Sequence, residues 1–396
     1  MLRQFIEWLE SGEKTEEELL ELCLRRIRER EPEVRAWVEV RAQEGSGKGP
    51  LRGIPFGAKD VFETAGLATE YGSPLYAGRK GSRDAALVKD LRGRGAVLIG
   101  KTQTTAFAYF DPAPTRNPRD GRRTPGGSSS GSAAAVAAGM VPFALGTQTQ
   151  GSVLRPASYC GIVGFKPTHG LLSLEGVLPF APALDTAGLF TETAADMRLL
   201  WERMGFAVSG TGVARLSAPA ALDGLDPEVE SGFRAAIRRL DTENVDLPPG
   251  FAELQRVVDV INDYEGARTH EQRWREHGAR IGLKLAQLVE RGLKIPAGEY
   301  TAAKGRLGEI KRQMSNVFRQ AGVILTPAAT GPAPRGLEST GDPRMNRAWT
   351  VLGGPAISVP LPVSTGLPLG LQLTAEWGHD AVALGAAVRV EAALGA

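Results

Sequence analysis

The sequence predicts an α/β protein. Short apolar runs rich in Val, Ile and Leu alternate along the chain with longer stretches whose apolar residues recur at helical spacing. The 396 residues suit one large α/β unit or two to three smaller domains. Glycine, at 49 residues, is well above the usual ~7%. A long central stretch is rich in it, so the chain there must adopt backbone shapes that side chains forbid.

The elements follow in order. Thr15 and Glu18 form a capping box, and Leu19, Leu20, Cys23, Leu24 and Ile27 then line one helical face. Pro32 is the expected stop. Cys23 lies on the apolar face and reads as core. Ala36 to Val40 alternates like a strand, and residues 45–53 read as loop. Ser82-Arg83-Asp84 opens a helix with Leu87, Val88 and Leu91 inward, followed by a buried strand from Ala96 to Ile99. Residues 130–139 are Ala-rich and helical, ended by Gly139, and Phe143 to Leu145 is a short strand. Residues 190–204 read as helical. Residues 205–250 are punctuated by Gly, Ser and Pro around one helix near 227–240, and residues 251–320 form long, charged, amphipathic helices. Val323 to Thr326, Ala356 to Val359 and Leu369 to Thr374 read as strands, with Asp380 capping a closing helix.

Composition removes several function classes. Lys+Arg 47 against Asp+Glu 45 gives a net charge of +2, so no imbalance points to nucleic acid or an anionic membrane. Two cysteines, Cys23 and Cys160, cannot build a disulfide scaffold or a multi-Cys zinc site. Four histidines in no H-E-x-x-H pattern leave no metal centre to propose. The apolar run Ala133 to Leu145 is broken by Gly139 and Pro142 and does not read as a membrane span. The acidic N-terminus does not resemble a signal peptide. A cytoplasmic protein with no membrane association is the expectation.

Two short motifs fit poorly with their surroundings. Gly95 to Thr102 matches G-x-x-x-x-G-K-[ST], but its intervening residues read as a strand rather than a phosphate-binding turn. Lys101 is therefore expected to be structural. Gly127-Ser-Ser129-Ser-Gly131 matches G-x-S-x-G, but no strand precedes it. No later histidine has a distinctive setting: His270 and His277 read as surface residues of a polar helix, and His379 as part of a helix start.

Three Gly/Ser-rich segments carry more. Gly53 to Asp60 presents Lys59 amid apolar and small residues, 126–132 presents a serine cluster at a helix start, and 146–152 presents Ser152 after a strand. A hydrolase without a usable histidine can activate serine with a neutral lysine, and burial against Phe56 and Val61 depresses a lysine pKa.

The run from Thr124 to Gly170 strongly resembles the amidase signature family. It contains Thr-Pro-Gly-Gly-Ser-Ser-Ser-Gly-Ser, then Gly-Thr-Gln-Thr-Gln-Gly-Ser-Val-Leu-Arg-Pro-Ala, then Cys-Gly-Ile-Val-Gly-Phe-Lys-Pro-Thr. The resemblance extends to Gly53–Asp60, Ile99–Thr102, Leu184–Thr186, 353–360 and 366–372. It implies one amidase-type α/β domain over 1–396, with a twisted mixed sheet covered by helices on both faces. Within it, 1–50 is an N-terminal helical segment and 51–200 the catalytic core. Residues 205–320 are mainly helical and divergent, and 321–396 return to the core.

The resemblance also implies a Ser–cis-Ser–Lys triad. Carried over by motif position, Lys59 is the base, Ser128 the bridging serine after a cis Gly127–Ser128 bond, and Ser152 the nucleophile. Thr149, Gln150 and Gly151 form the oxyanion and substrate-binding loop. Ser129 and Asp185 stand behind the triad, Ser129 and Ser130 as supporting or helix-capping residues. Ser132 and Cys160 are expected to pack in the core, and His169 to serve in a turn or in packing. This chain departs from the common pattern at Gln148, where Asp is frequent, and at Gln150, where Gly is frequent. The arginine common two residues after the nucleophile stands three after it, as Arg155. The connection at 205–225 is trimmed.

The function implied is hydrolysis of a carboxylic amide through an acyl-enzyme, with no cofactor and no metal. The partner expected is a small-molecule amide, with no nucleic acid bound directly and a homodimer left open. Residues 70–76 and 331–349 are expected to line the acyl pocket. Two other readings stand beside this one: the glutaminase (A-type) component of a tRNA-dependent amidotransferase, and a catalytically silent binding protein on the same fold.

Overall fold

The computed structural model describes residues 1–208, 214–363 and 366–395. Part of the trimmed 205–225 connection, residues 209–213, lies outside the described residues. Eleven strands make one mixed sheet: β1 (Trp37–Gln43), β2 (Pro55–Lys59), β3 (Val97–Thr102), β4 (Phe143–Gln148), β5 (Val163–Lys166), β6 (Thr186–Thr191), β7 (Leu216–Ala218), β8 (Glu243–Asn244), β9 (Val323–Pro327), β10 (Ala356–Leu361) and β11 (Leu369–Thr374). Their order is β1-β3-β2-β4-β6-β5-β10-β11-β9-β7-β8. With twelve α-helices among the described residues, this is the single large α/β domain that the sequence predicts.

The middle of the sheet positions the chemistry. β2 runs parallel to both β3 and β4, and β4 runs antiparallel to β6. Every residue of β2 through β6 is buried, as strands covered on both faces require. Phe56 on β2 stacks on Phe143 on β4, with ring centroids 5.2 Å apart. A second apolar cluster forms under the helices Leu254–His277, Leu283–Gly292 and Ala297–Ala321, joined by Phe107, Phe180 and Trp349. No described helix is long and apolar enough to cross a membrane.

Several local expectations need correction. The first long helix runs from Glu16 to Val34 with Pro32 inside its last turn, and it ends at Arg35 in the left-handed region, φ 54°. Asp84 does not cap a helix. It accepts from Ala65 N and pairs with Arg92, and the helix begins at Ala86. Asp380 is the first helical residue, and its carboxylate accepts from Thr168 N and Oγ1. For both aspartates a tertiary partner outcompetes the local cap.

β2, β7 and β8 escaped the sequence reading, as did β5 and β6, and residues 190–191 belong to β6 rather than to the helix Ala194–Arg203. β5 and β6 each contain a glycine, Gly164 and Gly188, which weakens their signature. The glycines exist because the helix Leu154–Cys160 lies directly on the sheet. A Cβ on Gly164 would stand 2.6 Å from Ala157 Cβ, and one on Gly188 would stand 2.7 Å from Val153 Cγ2. These close approaches fix the segment that follows Ser152.

Candidate active site

Lys59 ends β2 and is wholly buried. Its Nζ donates to Ser128 Oγ at 2.7 Å and to Thr147 Oγ1 at 2.8 Å. Burial pushes the ammonium down to about 7, against the pull of the Asp185 carboxylate. Burial thus brings the neutral amine within reach near physiological pH.

Ser128 sits in the loop before the helix Ser130–Ala137, and the Gly127–Ser128 bond is cis. The neighbouring serines tie this loop to β4 and to itself. Ser129 Oγ donates to Thr147 O and accepts from Thr147 N. Ser130 Oγ donates to Gly126 O, and Ser132 Oγ donates to Leu145 O. Ser129 therefore supports the site but does not cap the helix through its side chain. Ser132 is buried, as expected, with its hydroxyl bonded.

The loop after β4 is shaped by Gln148. Its Oε1 accepts from Val153 N and Leu154 N at 2.9 and 3.1 Å, and its Nε2 donates to Thr350 Oγ1 at 2.8 Å. Thr350 Oγ1 in turn donates to Gln150 O at 2.7 Å. The loop curls around one glutamine, and the backbone N–H groups of Gln150, Gly151 and Ser152 make no hydrogen bond among the described residues. Thr149 Oγ1 donates to Asp185 Oδ1 at 2.6 Å, while Asp185 Oδ2 accepts from Phe180 N and Ala181 N. Asp185 thus anchors the loop from behind.

Ser128, Thr149, Gln150, Gly151 and Ser152 line one small cavity, with Arg155, Asn262 and Thr340. Ala108, Tyr109, Phe110 and Phe180 complete its wall. Ser152 Oγ is free of hydrogen bonds among the described residues and is not joined to Ser128 Oγ. Of the segments expected to line the pocket, 331–349 contributes Thr340 and 70–76 contributes nothing. Tyr76 packs edge-on against Phe107 instead.

Sequence reasoning missed Thr147, Thr350, Asn262 and Thr340. Thr147 stands within the recognised motif, but the others are lone polar residues in stretches without any motif. Lys101 is structural, as expected: its Nζ donates to Asp60, Phe62 O, Ala68 O and Thr69 Oγ1. His270 is not a surface residue. It is buried between Phe107 and Phe180, and burial pushes its pKa down to about 3. No histidine lines the cavity.

The chain's likeness to known proteins agrees with this geometry. The family model described as Amidase matches residues 18–205. The A-type component of glutamyl-tRNA(Gln) amidotransferase from Chloroflexus aggregans is 33% identical, over 92% of this chain and 90% of that protein. The chain belongs to the amidase signature family. As a member of that family it is an enzyme. A solved amidase shares the fold with a TM-score of 0.90 at 28% identity, covering 99% of both chains. The solved A-type component of glutamyl-tRNA(Gln) amidotransferase from Thermotoga maritima gives 0.81 at 29% identity, over 95% of this chain and 91% of that one.

These relatives overturn the expectation that no nucleic acid is bound directly. Relatives at 30% identity or more are named for an amidotransferase of glutamyl-tRNA(Gln). A net charge of +2 averages over a whole surface, so it never excluded such an assembly.

Proposed function

We propose that this amidase family member cleaves carboxylic amides with Lys59, Ser128 and Ser152. One observation carries the reading: a buried lysine, its pKa lowered by burial, bonded at 2.7 Å to a serine that shares a cavity with a second, unbonded serine. Neutral Lys59 accepts a proton from Ser128 as Ser128 takes one from Ser152. Ser152 Oγ attacks the amide carbonyl, and the free N–H groups of Gln150, Gly151 and Ser152 receive the developing oxyanion. Such donors are each worth ~3–4 kcal/mol. The proton returns from Lys59 through Ser128 to the leaving nitrogen, which departs as ammonia or an amine. Water then cleaves the acyl-Ser152 ester by the same relay. A bridging hydroxyl suits both directions because it donates and accepts at once.

The relatives favour glutamine as the amide, hydrolysed by the A-type component of a tRNA-dependent amidotransferase. A stand-alone hydrolase is the second reading, supported by the closer backbone match to the solved amidase, 0.90 against 0.81. Labelling with a fluorophosphonate, wild type against Ser152→Ala, tests the chemistry. Glutamine turnover by the isolated chain, and its rise with added partner proteins, separates the two assemblies. A labelled Ser152→Ala would remove Ser152 from its role.

A further inference from the structure

Two buried side-chain atoms on the wall of the Ser128–Ser152 cavity have no hydrogen-bond partner among the described residues: Arg155 Nη1, a donor, and Asn262 Oδ1, an acceptor. The acceptor has a fixed setting. Asn262 is 2% exposed and sits on the helix Leu254–His277. Its Nδ2 donates to Asp263 Oδ1 at 3.1 Å. Exchanging the two ends of the carboxamide would set its oxygen against that carboxylate, so Oδ1 is the end left without a protein partner.

Asp263 is held in turn. Arg291 Nε donates to Asp263 Oδ2 at 2.6 Å, and Arg291 Nη2 donates to Asp263 Oδ1 at 3.3 Å. The same Nη2 donates to Tyr109 Oη at 3.1 Å. Tyr109 stacks on Phe180 with ring centroids 5.2 Å apart, and both rings line the cavity. Gly292 lets the helix that carries Arg291 come this close. A Cβ on Gly292 would stand 2.1 Å from Asp263 O. A chain of contacts from Arg291 through Asp263 thus orients Asn262.

A buried acceptor left without a donor costs about 1–3 kcal/mol, and a donor on whatever fills the cavity removes that cost. A carboxamide is complementary to this wall. Its oxygen accepts and its nitrogen donates, in one plane. The N–H groups of Gln150, Gly151 and Ser152 suit the oxygen, and Asn262 Oδ1 suits the N–H. An ester or an N,N-dialkyl amide brings no such donor.

We infer that Asn262 Oδ1 accepts a hydrogen bond from the N–H of the scissile amide, and so selects amides that carry an N–H over esters and N,N-dialkyl amides of the same acid. This rests on the proposed amide hydrolysis and adds to it the residue that reads the leaving group. The contact also serves the chemistry. As Ser152 Oγ adds, the nitrogen gains a lone pair that must face the proton on Ser128. An N–H held by Asn262 fixes rotation about the C–N bond, and with it the direction of that lone pair.

The test measures kcat/KM for the primary amides, N,N-dimethyl amides and methyl esters of butyric and benzoic acids, and for glutamine and the γ-methyl ester of glutamate. Wild type, Asn262→Leu and Asn262→Ser are compared. Leucine matches asparagine in heavy-atom count and branching but has no acceptor. The ratio of primary amide to ester should fall about 10- to 100-fold in Asn262→Leu, whatever happens to the ester itself. The dimethyl amides should follow the esters. Asn262→Ser keeps a hydroxyl that accepts, so it should lose less, and it carries the test if the leucine variant does not fold. A purely structural role would lower all three substrate types together, and an unchanged ratio in both variants overturns the inference. Fluorophosphonate labelling keeps the two proposals apart. A labelled Ser152 with an unmoved ratio rejects Asn262 alone, whereas no labelling and no turnover of any substrate rejects both.

Discussion

Lys59 Nζ lies 2.7 Å from Ser128 Oγ, at the end of a strand where both residues are buried. The pairing makes Ser128 the outlet for a lysine whose ordinary value of 10.5 is pushed down to about 7 by burial. The first prediction concerns pH. Lys59 is protonated below about 7 and neutral above it, so kcat/KM should rise through pH about 7 and level off on the alkaline side. A flat profile from pH 6 to 9 would remove lysine as the base.

Stability should move with the same group. Between about 7 and 10.5 the unfolded chain holds the proton that folded Lys59 has lost, so stability rises with pH across that window. Lys59→Met should abolish turnover yet leave Tm at neutral pH unchanged or raised by about 1–3 °C. Its stability should also lose part of the pH slope. Calorimetry at pH 6, 8 and 10 checks this, and a Tm far below wild type would contradict it.

Gln148 holds two backbone N–H groups and one threonine hydroxyl. Gln148→Leu leaves the N–H groups of Val153 and Leu154 buried without that acceptor, while the Thr350 hydroxyl keeps Gln150 O. The expected loss is about 2–4 kcal/mol in denaturant unfolding, with a larger fall in activity as the loop relaxes. Full activity in the variant would show that the loop is held by other contacts.

Gly151 has no room for a side chain. A Cβ there would lie 2.4 Å from Asn346 Oδ1 and 2.9 Å from Arg155 Nη1. Gly151→Ala should reduce kcat/KM by about 100-fold or more, because small displacements of reacting groups are that costly. Circular dichroism should show the fold retained. An active variant would mean that the loop adjusts freely.

Lys101 and Asp60 form an ion pair at 3.1 Å in which both side chains are wholly buried. Lys101→Met strands a buried carboxylate and should cost about 3–5 kcal/mol. The double variant Lys101→Met with Asp60→Leu should regain part of that. A single variant as stable as wild type would show that Asp60 is neutral in the fold.

The amino-acid sequence by itself determined the α/β class, most helices, and the three segments that hold Lys59, Ser128 and Ser152. Those segments are legible because each is a run of Gly, Ser and small residues around one reactive side chain, and because their order resembles a known family. The sequence also placed Cys23 and Cys160 in the interior, where the structure finds them. Strands β5 and β6 were not legible, since Gly164 and Gly188 answer to a helix packed across the sheet rather than to their own neighbours. His270 was misread because a polar helix was judged by composition, while burial depends on Phe107 and Phe180 from distant segments. Only the tertiary structure decided the cavity wall. Asn262, Thr340 and Thr350 meet the loop from far along the chain, and no local pattern records such contacts. The same holds for Arg155: its position was visible, but its unpaired nitrogen exists only once Thr340 and Gly127 have taken up the rest of the guanidinium.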